Sequence, residues 1–494
     1  MTLKEKLKLF LNDIRFWIIL FFVIRLIGIT NPPLELGHSW RQVTGLMVSR
    51  NFYEIDNNIL YPRVDECHGR SGIIGMEFPL MNYVYYLISL VFGYTTWYGR
   101  LINLIVSSFG IYFFYRIIKE YFNEKIAHNA TLILLSSIWF SYSRKMMPDT
   151  FCISLMMIGL FYGLRYLKNG GAFNLFYYSI FALLGIMSKI PAGIYFSVLI
   201  IPFVSSGISK NYTINSPISR GGSGVFKNFV VFIDANKYKL NILISTIIIL
   251  VLTYAWYFIW NQYLAKTYGN WYNGGKDLIS GTIEISNHLG ATLEKFYFSA
   301  FSGFIFFICF LAGIVFAIKN KEKILSAILF CVSVIYFIYI LKSGHFFYEQ
   351  NYYIIPFVPV MALIAAYAIT LFKKQWLIVI VLVAGMLEGI ANQQHDLFIK
   401  KNELYKLKLE AIADSISAKN DLIVINGNSN SQQMYLSHRK GWVCDNMQLL
   451  DSLYLNNIIS KDCRFIFVDK HTFNKTLKFK IIYDDADYRV YLTK

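Results

Sequence analysis

Between Glu35 and Arg100 the chain collects His38, Arg41, Arg50, Arg63, Asp65, Glu66, His68, Arg70 and Glu77 in one polar stretch. Three short segments further on carry the same mixture. Arg144, Lys145 and Asp149 lie in SRKMMPDT, Lys189 in SKIP, and His345, Tyr348 and Glu349 in SGHFFYEQNYY. Arginine and lysine hold phosphate, and they stabilise the charge that grows on a phosphate leaving group. A carboxylate or imidazole within hydrogen-bond reach of a hydroxyl can take its proton. Together these groups suit transfer from a lipid-phosphate-linked donor to a hydroxyl.

The rest of the chain must bring these segments to one place, and it does so through a membrane. Of 494 residues 56 % are hydrophobic and only 16 % charged, with a mean hydropathy of +0.45; soluble domains carry about 25 % charged residues. Repeated apolar runs near bilayer length predict a polytopic α-helical membrane protein. The formal charge of +17 sits in loops between apolar runs, the positive-inside pattern, and so argues for a membrane and against nucleic acid as partner.

Lys4, Lys6, Lys8 and Arg15 precede an uncleaved first span at about 16–30, which Pro32 and Pro33 end. The apolar run 79–93 is shorter than the ~20 residues of a span. Lying along the surface, it leaves every later basic loop on the cytoplasmic side. Further spans then fall near 100–117, 127–143, 150–166, 173–188, 190–205, 239–260, 298–318, 323–341, 352–372 and 375–391, about eleven in all. The polar segments then share the opposite, extracytoplasmic face. Residues 1–395 form this membrane domain. From 396 to 494 the composition turns soluble: DLIVING, RFIFVD, FKIIYDD and DYRVYL read as strands and NMQLLDSLYLNNIIS as a helix, a small α/β domain. The six cysteines form no CxxC motif; Cys444 and Cys463 leave a disulfide open in an oxidising compartment.

The order of a first span, a long polar loop, EFPLMNYVYYLISLVFG, YGRLINL, SRKMMPDT and SKIPAG resembles the GT-C polyprenyl-phosphate-sugar glycosyltransferases, among them the lipid A aminoarabinose transferases and protein O-mannosyltransferases. The resemblance covers most of residues 15–205 and, more weakly, the later spans. It implies a GT-C fold with two juxtamembrane helices in the first external loop, here residues 38–53 and 79–93. Glu77 matches the Glu of the family's Glu-Lys-Pro-Pro motif, with Phe78 in place of its Lys, and Arg100 and Asp149 match its recurrent Arg and Pro-Asp. One position departs: the family's Asp-Glu, whose Asp is the usual base, falls on Arg41-Gln42. Asp65, Glu77 and His38 are therefore the candidate catalytic groups. Arg41, Arg100, Arg144, Lys145 and Lys189 are the candidate phosphate ligands, and Asp149, His345 and Tyr348 the orienting or acceptor-binding groups.

Each has a plainer role available. Glu77 and Asp149 can cap helices, Asp65 can serve a turn, and Arg41 and Arg100 can snorkel. His38 can bond backbone, and His345 and Tyr348 can belong to an interfacial belt. His288 and Asn270–Trp271–Tyr272 fit loop structure. No ligand spacing demands a metal, though a divalent ion near Glu77 stays open. The family implies an inverting enzyme taking a sugar from a polyprenyl-phosphate carrier to a lipid, glycan or protein acceptor; the many Lys, Ile, Asn and Tyr residues suggest an AT-rich, bacterial genome and hence an inner-membrane setting. A polyprenyl-linked glycan flippase is the alternative, but it predicts ionisable groups near the bilayer midplane rather than at one set of helix ends.

Overall fold

The computed structural model describes residues 11–205, 224–269 and 275–493. Lys4, Lys6, Lys8, Lys210 and the Asn270–Trp271–Tyr272 cluster lie outside the described residues. The chain is mostly helical up to about residue 416 and then forms a small sheet domain. Among the described residues five helices are long and apolar enough to cross a membrane: Tyr98–Tyr121, Pro148–Asn169, Asn236–Tyr268, Lys323–Ser343 and Gln375–Leu397. Shorter apolar helices lie at Ala172–Ser188, Ile190–Pro202, Ile305–Lys319 and Val358–Thr370.

The site is built on the first seven helices: α1 (Ile14–Arg25), α2 (Ser39–Glu54), α3 (Leu80–Phe92), α4 (Tyr98–Tyr121), α5 (Glu124–Ser136), α6 (Pro148–Asn169) and α7 (Ala172–Ser188), with a single turn at Trp139–Tyr142. Helices α2 and α3 occupy the two stretches expected to lie along the membrane surface. Helix α2 has little amphipathic pattern because it is enclosed: Arg41, Gln42, Ser49, Arg50 and Asn51 are all buried. Helix α3 starts after Pro79, whose fixed φ suits a helix start, and ends at Gly93 with φ 78°, a conformation that favours glycine. Helices α6 and α7 cross closely on small residues. A Cβ on Gly159 would stand 2.8 Å from the Ala182 backbone nitrogen, and one on Gly185 would stand 2.9 Å from the Cys152 carbonyl oxygen. Close approach through small residues is how helices associate in lipid, where burial of apolar surface contributes little. Gly159→Leu should therefore force α6 and α7 apart and destabilise the protein by about 1–3 kcal/mol, seen as a lowered unfolding midpoint in detergent.

The sheet domain has five strands, β1 (Leu422–Asn426), β2 (Lys440–Cys444), β3 (Cys463–Asp469), β4 (Lys480–Asp484) and β5 (Tyr488–Leu492), in the order β2-β1-β3-β5-β4. Strands β2, β1 and β3 are parallel, and β5 and β4 add antiparallel. The parallel strands carry near-continuous apolar runs because both faces are covered. Ile423, Ile425, Phe465 and Phe467 pack with the helix Gln432–Ser437 and with α2 and α3; Val424, Ile466 and Val468 pack with the helix Ser452–Ser460. Strand β2 was not among the sequence expectations: Lys440-Gly441-Trp442 opens on a polar residue and a glycine, and no alternation marks it. Cys444 closes β2 and Cys463 opens β3, with β1 between, and both thiols are free, so the disulfide left open by the sequence is not formed.

Candidate active site

Four of the sequence candidates meet at one end of the helices. Arg41, in the first turn of α2, pairs with Glu77 through Nη2 and Oε1. Lys189, the residue that ends α7, places Nζ 2.5 Å from Oδ1 of Asp149 in the first turn of α6. A carboxylate at a helix N-terminus and an ammonium at a C-terminus both complement the helix dipoles. The two pairs adjoin: Lys189 is an electrostatic neighbour of Glu77 and Arg41 as well as of Asp149. A small cavity of about 20 Å³ lies between Arg41, Glu77, Asn82, Met146, Pro148 and Ser188. Two buried carboxylate oxygens, Glu77 Oε2 and Asp149 Oδ2, have no hydrogen-bond partner. Leaving such an oxygen dry and unpaired costs about 1–3 kcal/mol or more, and unmatched buried groups cluster where a ligand is handled.

The backbone around Glu77 is held by distant parts of the chain. Trp256 Nε1 and Asn261 Nδ2 both donate to the Met76 carbonyl at 2.9 Å. The Phe78 amide donates to the Met187 carbonyl at 3.1 Å, and Tyr257 Oη donates to that same carbonyl at 2.9 Å. Trp256 and Tyr257 sit in a π-helical turn, Ala255–Trp260, a feature that recurs at functional sites. Asn103 organises the other segment: its Nδ2 lies within 2.8–3.2 Å of the Tyr142, Lys145 and Met147 carbonyls, and its Oδ1 accepts from Thr150. Gln42 ties the two together, accepting from the Met146 amide and donating to Glu35.

A second ionic group stands behind an aromatic wall. Lys189 Nζ lies over the rings of Tyr352 and Tyr353 at 4.8 and 5.3 Å. His38 also meets Tyr352, edge to face with ring centroids 5.2 Å apart. His38 Nε2 is 3.1 Å from Asn351 Oδ1, which also accepts from Tyr142 Oη. Burial, with the nearby Lys145 ammonium, pushes the His38 imidazole down to about 4, so it is neutral at neutral pH and a weak base. Lys145 pairs with Asp396 at 2.9 Å, and Arg144 donates to the Asp396 carbonyl. Arg144 Nε and Nη2, like Arg25 Nε and Nη1 on α1, are buried without partners, and the two guanidinium groups repel one another. This buried excess of positive charge raises the potential for an anion at this end of the helices.

The remaining candidates lie elsewhere. Arg100 pairs with Glu35 at 3.3 Å and donates to the Ile29 and Asn31 carbonyls, fixing the chain where it leaves α1. Asp65 is paired at both oxygens, with Arg50 at 2.6 Å and Asn51 at 2.9 Å. Arg50 in turn donates to the Tyr435 carbonyl of the sheet domain. Asp65 thus holds a domain seam rather than lining the cavity. Asp65→Asn should lower the unfolding midpoint by several degrees and leave turnover per folded molecule within about threefold, since a broken buried pair costs about 3–5 kcal/mol; parallel thermal and activity measurements check this. His345 pairs with Glu284, and Tyr348 stacks on His288 at 4.3 Å, away from the paired groups. The segment SGHFFYEQNYY does reach the site, but through Asn351, Tyr352 and Tyr353, which the sequence analysis passed over. Asp396 was also missed. Among the described residues no group of three or more His, Cys, Asp or Glu could hold a metal ion.

Residues 77–232 match the family model described as dolichyl-phosphate-mannose-protein mannosyltransferase. The whole fold is similar to that of ArnT from Cupriavidus metallidurans in the apo state, with a TM-score of 0.57 at 11 % identity over 96 % of this chain and 97 % of that one. The chain has an ArnT-like fold. The same ArnT bound to undecaprenyl phosphate matches this chain with a TM-score of 0.55 at 10 % identity, over 96 % and 97 % of the two chains. The oligosaccharyltransferase AglB from Archaeoglobus fulgidus, in complex with an inhibitory peptide and a dolichol-phosphate, matches with a TM-score of 0.52 at 12 % identity over 92 % of this chain and 69 % of that one. No curated protein matches the sequence. In this chain Arg41 and Gln42 occupy the first turn of α2, where the family resemblance places an acidic pair. The carboxylates nearest that turn are instead Glu77 on Arg41 and Glu35 on Gln42.

Proposed function

We infer that this chain is an inverting glycosyltransferase that takes a sugar from a polyprenyl-phosphate carrier and places it on an acceptor hydroxyl at the extracytoplasmic face. One observation carries the reading: inside a GT-C fold, two carboxylates each keep one buried oxygen free beside Arg41 and Lys189. Glu77 is the base. Arg41 fixes Oε1, which leaves Oε2 to receive the acceptor proton as the acceptor oxygen attacks the anomeric carbon. The bond from that carbon to the phosphate oxygen breaks, and the electron pair stays on the carrier phosphate. Lys189 and Arg41 face the departing dianion, with Arg144 and Arg25 adding to the field. Asp149 orients Lys189. The match to ArnT with undecaprenyl phosphate supports a polyprenyl carrier, and the positive-inside pattern supports the orientation.

The test is direct. Purified protein in nanodiscs is given a panel of polyprenyl-phosphate sugars with candidate acceptors, and free polyprenyl phosphate is measured. Release that depends on an acceptor supports transfer. Movement of the intact carrier across vesicles, with no release, would instead make the chain a flippase.

A further inference from the structure

The sheet domain holds a cavity of about 470 Å³ that takes no part in the reaction above, within the ~300–1,000 Å³ of small-ligand sites. Its position follows from the topology. The chain leaves β1 for β2 on one side, then crosses to β3 on the other. The helices Gln432–Ser437 and Ser452–Ser460 cover opposite faces of the sheet. The loops after Asn426 and Asp469, at the carboxyl ends of β1 and β3, therefore diverge and open a crevice, as at the switch points where open α/β sheets bind ligands.

The lining has a definite chemistry. Five asparagines and two glutamines line the crevice, with Tyr405 and His471 beside them. The base is pre-set by its own bonds: Asp469 Oδ2 accepts from Tyr405 and Gln433, and Asn426 accepts from the Asp469 amide at 2.7 Å. Asn402 and Asn428 are exposed at the rim, and Asn428 adopts φ 53°, a left-handed conformation that asparagine tolerates and that recurs at ligand clamps. Tyr405 and His471 stand with ring centroids 4.2 Å apart. Planar amides offer paired donors and acceptors at a spacing that suits vicinal hydroxyls. An aromatic face takes the apolar side of a sugar ring. A phosphorylated ligand is disfavoured: the lining has no arginine, its Lys406 is committed to Glu403 and Gln432, and Glu403 and Asp469 are acidic. An extended peptide would pair along a strand edge, whereas this crevice lies across strand ends.

We propose that this crevice binds a neutral carbohydrate. It is joined to the membrane domain by Gln432, which donates to the Pro33 carbonyl at 2.8 Å and accepts from Lys406. Pro33 lies two residues before Glu35, the partner of Arg100 and Gln42. The role of the crevice as an acceptor subsite rests on the glycosyl-transfer reading; the binding itself does not.

The experiment uses the full chain in nanodiscs and saturation-transfer-difference NMR. The probes are glucose, galactose, mannose, N-acetylglucosamine and their disaccharides, with a neutral tripeptide and inorganic phosphate as comparisons. At least one sugar should bind saturably, and Tyr405→Ala and Asn402→Leu should each weaken it tenfold or more. The NMR arm contains no lipid donor and measures no turnover, so sugar binding stands or falls separately from the transferase reading. Asn402 is exposed, so its variant tests the site even where Tyr405→Ala lowers the unfolding midpoint. The proposal is overturned by saturable binding of only the peptide or phosphate, by no saturable sugar, or by sugar binding that neither variant alters.

Discussion

Glu77→Gln should lower turnover by about 10²–10⁴-fold, the contribution typical of a positioned general base, with little change in affinity for the lipid donor. The amide keeps the shape of the carboxylate and can still accept from Arg41 through its oxygen. What it loses is the free Oε2 that would hold the proton. The separation of turnover from affinity is the informative part: a lost transition-state contact lowers kcat, whereas a lost uniform contact raises KM. Single-turnover rates with saturating donor, measured beside the unfolding midpoint, distinguish a missing base from a damaged fold. Full turnover in Glu77→Gln would remove Glu77 from the chemistry and leave Asp149 as the remaining carboxylate of the site with a free buried oxygen.

Lys189→Met is the second large effect. Methionine keeps the length and apolar stem of lysine and removes the charge. Two losses follow. The departing phosphate loses a cation, worth about 10²–10³-fold in rate by analogy with removal of one oxyanion donor. Asp149, almost wholly buried, loses its partner at 2.5 Å, which costs about 3–5 kcal/mol of stability. A double variant separates them. Lys189→Met with Asp149→Asn should recover much of the unfolding midpoint, because no unpaired charge remains buried, yet recover none of the activity. Recovery of both would make the pair structural and exclude Lys189 from phosphate contact.

Much of this site was legible because charge in an apolar chain is conspicuous. Arg41, Glu77, Asp149 and Lys189 stand out against their surroundings, and the helix ends on which they sit could be placed from hydropathy and Pro or Gly punctuation. Helices α2 and α3 were legible as helices separate from the spans for the same reason, since the run 79–93 is short. Where the reading strayed, the deciding information was three-dimensional. Asp65 carries the right chemistry, but Arg50 and Asn51, one helix away, consume both its oxygens. In SGHFFYEQNYY the chemically obvious His345 and Tyr348 turn toward Glu284 and His288. The neutral Asn351, Tyr352 and Tyr353, in a 3-10 turn with no periodic signature, form the wall between the two ionic groups. Asp396 lies beyond the last apolar run, and nothing in its neighbourhood announces that it returns to Lys145. The crevice of the sheet domain was illegible in a further sense. Its amides come from separate loops whose nearness depends on strand order, and β2 itself carried no recognisable pattern.

The junction at Pro33 has a consequence for biosynthesis. Gln432 meets Pro33 across 399 residues of chain, and Asn31 meets the Leu397 carbonyl across 366. A ribosome releases the early partners long before the late ones exist, and contacts of such separation form slowly. Throughout translation the segment after α1 must therefore wait, inserted but unlatched, until the stretches around Leu397 and Gln432 have been made and folded back onto it.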